Sequence, residues 1–285
     1  MAHYSEPVTD LIRRRKSWRS YRQEPLSDEL KSRIRGFIAA LDPPPFGTSM
    51  RIELVDASLP DRSWTPGTYG VVRGARHILV GVLKPSSMAF EDFGYCFESA
   101  ILFCTGLNLG TCWIGGTFSR DYYGRMTGLS PGEIIPVVSP VGHVTEKRSI
   151  LDSIFALSAG SKNRKPFSDL FFRGDFSSPL DAREAGEYAE ALEMVRLAPS
   201  ALNKQPWRVA AAGGGFHFFL SRSAGYRTLF PEIDLQRIDM GIAMFHFSSA
   251  ASSLGLAGSW KRLEGSHGVG APESLEYRAS WVPGR

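Results

Sequence analysis

The sequence predicts an α+β fold in which one structural unit is written twice. Three observations carry that prediction. Asp92-Phe93-Gly94 and Asp239-Met240-Gly241 each open a long apolar stretch, and each stretch ends on small residues before a tryptophan, Trp113 or Trp260. Asp92 and Trp113 lie 21 residues apart, as do Asp239 and Trp260. Upstream, both copies run from a helical stretch (37–41; 194–197) through a proline loop (43–45; the Pro199 loop) into Arg51-Ile52 or Arg208-Val209. A period this long marks a duplicated unit and not a solenoid, and helices alternating with few strands give a mixed α+β pattern.

Each unit then reads in order. A basic lead-in, Arg13 to Lys16, precedes a helix over 28–41, strands near 50–56 and 77–83, the Asp-x-Gly helix, a small-residue turn and a strand over 134–144. The second unit has a helix near 181–197, strands near 208–212 and 216–221, its own Asp-x-Gly helix and a strand over 275–282. Asp92 and Asp239 read as helix N-caps and Gly106 as a helix stop. Lys16-Ser17-Trp18-Arg19 aligns with Lys165-Pro166-Phe167-Ser168, and the polar segment 158–165 reads as a linker between halves 1–160 and 161–285.

With 285 residues, 43% hydrophobic and 22% charged, the chain reads as an ordinary globular protein. A net charge of +4 is compatible with phosphorylated ligands and too small to call for nucleic acid. No apolar run approaches the roughly 18–20 residues of a membrane span. The first residues carry acids and lack an apolar core, so they do not read as a secretory signal, and a cytoplasmic location is expected. Cys96, Cys104 and Cys112 fit no zinc spacing and read as buried reduced thiols. His143 and His246 form no metal-ligand pattern and receive no role; no metal is expected. No strand leads into G-x-G-x-x-G, so no Rossmann dinucleotide site is present.

Two strings bear chemistry. Arg15-Lys16-Ser17-Trp18-Arg19 packs three cations around a hydroxyl, which suits an anionic group. The loop 198–207, with Pro199, Ser200, Asn203, Gln205 and Trp207, sets donors and acceptors between two prolines and suits a flat heterocycle. FMN has both parts, so the strings suggest two ends of one cofactor site.

Together with Gly-Thr-Cys-Trp-Ile-Gly-Gly at 110–116, these strings resemble the nitroreductase family of flavoproteins, in a branch where one chain holds two family-like halves. The resemblance implies a nitroreductase-like fold: two duplicated halves forming a pseudo-dimer, with mixed or antiparallel sheets surrounded by helices. Ordinary members are homodimers with flavins at the subunit interface. A chain that supplies both halves can therefore serve as a monomer, and further self-association is left open.

Carried over to this sequence, Arg15, Lys16, Ser17 and Arg19 would hold the phosphate, ribityl and pyrimidine side of FMN, and Lys147 and Arg148 would complete the phosphate site. Pro199, Ser200 and Asn203 would lie along the isoalloxazine and ribityl chain, while Gln205 and Trp207 serve the loop itself. Backbone donors of Ile114, Gly115 and Gly116 would face the flavin N5 edge, with Trp113 as core. At the counterpart positions Pro166, Ser168, Phe46, Thr48 and Met50 this chemistry is missing, which implies one flavin per chain. The implied activity is ping-pong: NAD(P)H, a transient reductant, gives a hydride to the flavin, and a small acceptor such as a nitro compound or quinone follows at the same face. No side chain reads as a catalytic acid or base, because the flavin carries the chemistry. Two alternatives stand beside it: a non-enzymatic flavin-binding or sequestering protein, and a flavin enzyme of the same fold that dehalogenates or fragments the flavin. Residues 61–69 read as a substrate-side loop.

Overall fold

A computed structural model describes residues 4–57, 65–145, 163–223, 232–263 and 269–284. Six α-helices are described: α1 (Val8–Arg14), α2 (Asp28–Ala39), α3 (Ala89–Gly106), α4 (Arg120–Thr127), α5 (Ala189–Leu197) and α6 (Leu235–Ser253). The strands are β1 (Met50–Asp56), β2 (His77–Leu83), β3 (Gly110–Thr111), β4 (Val138–Gly142), β5 (Phe171–Arg173), β6 (Trp207–Ala212), β7 (Gly215–Ser221), β8 (Gly258–Lys261) and β9 (Leu275–Pro283). One sheet runs β1-β2-β4-β3 and the other β5-β6-β7-β9-β8.

Dropping β5 leaves the same order twice, with β1, β2, β4 and β3 matched by β6, β7, β9 and β8. The repeat read from Asp-x-Gly and tryptophan landmarks is thus a repeat of sheet topology. The first sheet is antiparallel throughout, whereas β5 adds a parallel edge to the second. Fully buried β2, His-Ile-Leu-Val-Gly-Val-Leu, sits between β1 and β4 and needs no polar face.

Helices α3 and α6 are apolar nearly all round, as core helices must be, and they pack along each other as the widest helix contact among the described residues. Their crossing is reciprocal. A Cβ on Gly94 would run into the Ile238 carbonyl oxygen, and a Cβ on Gly241 into the Glu91 carbonyl oxygen. Gly94 and Gly241 are equivalent in the repeat, and so are Glu91 and Ile238. Equivalent atoms meeting across one point is the signature of a two-fold contact. Fully buried Glu91 also takes the guanidinium groups of Arg237 and Arg278, which ties α3 to α6 and β9.

Several local expectations change. Asp92 and Asp239 do not cap their helices: α3 starts at Ala89, and α6 is capped by Asp234, whose side chain accepts from Arg237 N. Both aspartates instead face the proline loop of their own half. Asp92 accepts Phe46 N and Thr48 N, each at 3.0 Å, and Asp239 accepts Ala201 N at 3.1 Å.

Gly106 remains helical; the left-handed residue after α3 is Asn108 (φ 59°), and after α6 its equivalent Gly255 (φ 76°). Leu109 N and Leu256 N then bond back to Cys104 O and Ala251 O, closing both helices alike. In the 181–197 stretch only Ala189–Leu197 is α-helical, preceded by a 3₁₀ turn at Gly186–Tyr188. The strand expected over 134–144 narrows to β4, with Ile134 and Val144 as isolated bridges to Leu83 and Tyr21.

The two basic lead-ins are not equivalent. Ser17 pairs with Thr111 at the β3 edge, whereas 167–169 lead into β5 beside β6, at the opposite edge of its sheet. Four matched residues in extended chain were too short a string to fix a register. Of the expected linker only 163–165 are described, and the Lys165 N–H is tied to Gln205 Oε1.

One histidine makes the first sheet pH-sensitive. His77 accepts Leu26 N on Nε2 at 2.9 Å and holds Asp56 on Nδ1 at 2.7 Å; burial outweighs Asp56 and keeps its pKa below the ordinary 6.5. The unfolded chain therefore binds this proton more readily, so stability falls as pH drops below about 6.5. Between about pH 7.5 and about pH 5.5 His77 and His217 lower the urea midpoint as pH drops while Asp239, whose pKa is raised, works against them, and His77→Gln should shrink the fall. An unchanged fall would remove His77 from the account.

Candidate functional site

The basic string begins at the end of α1. Arg13 and Arg14 form its last turn, Arg15 is its C-cap residue, and the chain then runs extended beside β3, with Trp18 N bonding Thr111 O at 2.9 Å. Alternation along an extended chain puts Arg15, Ser17 and Arg19 on one side, all partly buried, and Lys16 on the other, exposed. The Arg15 side chain is only 8% exposed and lies 3.8 Å from Glu98, beyond hydrogen-bonding reach. Its Nε and Nη1 are buried with no hydrogen-bond acceptor.

The loop after α5 is held in an unusual backbone. Leu202, Asn203 and Gln205 have φ of 48°, 53° and 49°, three left-handed non-glycine residues within four positions. Asp239 takes Ala201 N, and Ser200 Oγ takes Gln205 N at 2.9 Å. Asn203 and Gln205 also brace the chain at 163–165: Arg164 donates to Asn203 Oδ1 at 2.6 Å, and both amide groups donate to Asn163 O. Pro199 is partly buried. Trp207 is fully buried, and its indole N–H has no hydrogen-bond partner among the described residues.

Arg164 joins the two strings. It also donates to Leu197 O, and burial together with the nearby charges of Arg15 and Arg196 pulls its pKa down to about 10. A guanidinium whose charge is disfavoured by its surroundings attracts an anion.

The third string completes the cluster. Trp113 Nε1 donates to Glu98 Oε2 at 2.8 Å and its ring packs on Phe97. Ile114 exchanges both backbone bonds with Val138, so its N–H is committed to the sheet. Gly115 gives its carbonyl to Arg120 at 2.8 Å, and a Cβ there would meet Leu235 of α6 at 2.6 Å. Gly116 follows, partly buried.

The structure therefore places Trp113 and Arg15 at one buried carboxylate, Glu98, while Arg164, which feels the Arg15 charge, is bonded to Asn203 of the 199–205 loop. Lys147 and Arg148 lie outside the described residues, as do 61–64 of the expected substrate-side loop. Glu98, Arg164 and His246 were missed by sequence reasoning. Glu98 had a signal, a lone carboxylate in the apolar run Tyr95 to Phe103, where a charge must find partners. His246, given no role from its spacing, is fully buried and bridges Glu98 Oε1 and Met194 O.

Cys96, Cys104 and Cys112 are free and buried, and burial pushes the Cys96 and Cys104 thiols up to about 12. Among the described residues no metal-binding cluster occurs, and no helix is long and apolar enough to cross a membrane.

Comparison with known proteins agrees with this architecture. The structure superposes on a protein from Thermotoga maritima described as a putative nitroreductase, with TM-score 0.63 and 17% identity, over 99% of this chain and 96% of that one. A nitroreductase family protein from Clostridium novyi (15% identity, TM-score 0.41) covers 52% of this chain and 91% of its own. A nitroreductase with bound FMN from Desulfitobacterium hafniense (22% identity, TM-score 0.40) covers 50% and 93%. No curated protein matches the chain. Residues 7–251 match the family described as "Putative TM nitroreductase", and the chain belongs to that family.

Proposed function

We propose that this chain is an FMN-dependent oxidoreductase that draws on NAD(P)H in the cytoplasm to reduce nitro compounds, quinones or similar acceptors by a ping-pong scheme. One flavin would sit between its halves, 1–160 and 161–285. The observation that carries the reading is Arg15, a buried guanidinium with Nε and Nη1 unmatched, beside a second cation on Arg164. Leaving buried donors unmatched costs about 1–3 kcal/mol each, and a phosphate ester supplies the acceptors.

Arg15, Ser17 and Arg19 would hold the phosphate and ribityl side, with Lys16, Lys147 and Arg148 around it. Pro199, Ser200 and Asn203 would lie along the cofactor. Gly115 and Gly116 would bring main chain close to the ring, where the absence of Cβ matters, while Arg120 fixes the turn through the Gly115 carbonyl. When bound, FMN supplies the redox chemistry; the protein supplies position and charge.

Purified protein is expected to show a flavin absorption band, or to take up one FMN per chain on titration, and NADH or NADPH should bleach it. No band and no uptake overturns the reading. Uptake without bleaching leaves a flavin-binding protein.

A further inference from the structure

The two halves differ at the position that organises the site. Glu98 sits on α3, fully buried, where groups from separate elements converge: Trp113 Nε1 donates at 2.8 Å, His246 Nε2 lies at 3.0 Å and the Arg15 guanidinium at 3.8 Å. Trp113 closes the small-residue turn of the first half. His246 belongs to α6 of the second half, and its other ring nitrogen bonds Met194 O on α5, the helix that leads into the 199–205 loop. At the equivalent point of the second half, α6 carries Phe245, and the indole N–H of Trp260, the partner of Trp113 in the repeat, is buried without an acceptor. A carboxylate hub has been kept, or acquired, on one side of the pseudo-two-fold only.

We infer that Glu98 is a positioning residue for the flavin site. It holds the Arg15 guanidinium by charge, without accepting its hydrogen bonds, so that Nε and Nη1 stay available to a phosphate. The same carboxylate marks which of the two related sites is functional. A carboxylate in hydrogen-bonding contact would consume those N–H groups, whereas one at 3.8 Å orients the cation and leaves them unmatched. Its partners also explain how both halves shape a single site, since Trp113 and His246 grip it from opposite copies.

This inference rests on the proposed flavin binding, and the comparison of FMN with riboflavin separates the two. Riboflavin shares the ring and the ribityl chain and lacks the phosphate. Glu98→Gln is expected to weaken FMN binding about tenfold, while riboflavin binding changes by less than about twofold, as read by quenching of flavin fluorescence. In an Arg15→Gln background, Glu98→Gln should then produce no further loss of FMN preference, because the carboxylate acts through the guanidinium. If Glu98→Gln does not fold, Trp113→Phe, which loosens the carboxylate from the other side, should lower the same FMN-to-riboflavin ratio. Equal losses for both flavins, or additive losses in the double variant, overturn the positioning role and leave the flavin site standing. Wild-type protein that binds neither flavin overturns both.

Discussion

Gly241→Ala is expected to cost at least about 3 kcal/mol of folding stability, and Gly94→Ala a similar amount. The added methyl would meet main-chain carbonyl oxygens, Glu91 O in one case and Ile238 O in the other. A side chain can rotate away from an intruding methyl; two helices locked along their length cannot. Relief would require α3 and α6 to move apart, and both are buried for most of their turns. Against a typical total of about 5–15 kcal/mol, either change should lower the urea midpoint sharply at unchanged slope.

Gly36→Ala is the control. It sits inside α2 with nothing within 4 Å of its added Cβ, and a helix-interior glycine replaced by alanine should gain about 0.5–1 kcal/mol. If Gly241→Ala and Gly36→Ala behaved alike, the reciprocal helix crossing would be wrong.

That crossing also shows how far the sequence could be read. β1 and β2 were legible because their apolar runs are bounded by loops and rich in branched residues. The duplication was legible because its landmarks recur at constant spacing. What failed was every inference from local preference that a tertiary contact overrode. Aspartate favours helix N-caps, so Asp92 and Asp239 suggested helix starts; in the fold they are spent on a loop more than 35 residues away.

The lead-in 165–168 matched 16–19 by residue type alone, and strand pairing sent the two to different edges. At the site, Arg15 could be nominated from its neighbours in sequence. Glu98 and His246 could not be nominated as a pair, because their bond joins residues 148 apart across the α3–α6 crossing. Only the packing of two helices creates it.

The two aspartates supply a second large effect and a built-in comparison. Asp92→Ala strands two backbone N–H groups, Phe46 and Thr48, and should cost about 2–4 kcal/mol. Asp239→Ala strands one, Ala201, and should cost about 1–3 kcal/mol. Burial raises the pKa of both aspartates, that of Asp239 well above its ordinary 3.8, so removal relieves the larger penalty at Asp239 and its net loss is expected to be the smaller.

Their effects on flavin binding should run the other way. Asp239 pins Ala201 at the head of the strained Leu202–Gln205 backbone, the loop proposed to lie along the cofactor. Asp92 pins the related loop of the other half, where Phe46 and Thr48 stand in place of Asn203 and Gln205. Asp239→Ala is therefore expected to weaken FMN binding by about tenfold or more, while Asp92→Ala, although less stable, binds FMN as wild type does at temperatures where it remains folded. Titrations of both variants alongside their urea midpoints decide the matter. If FMN affinity simply followed stability, with Asp92→Ala the weaker binder, the loop after α5 would not be the one that holds the cofactor.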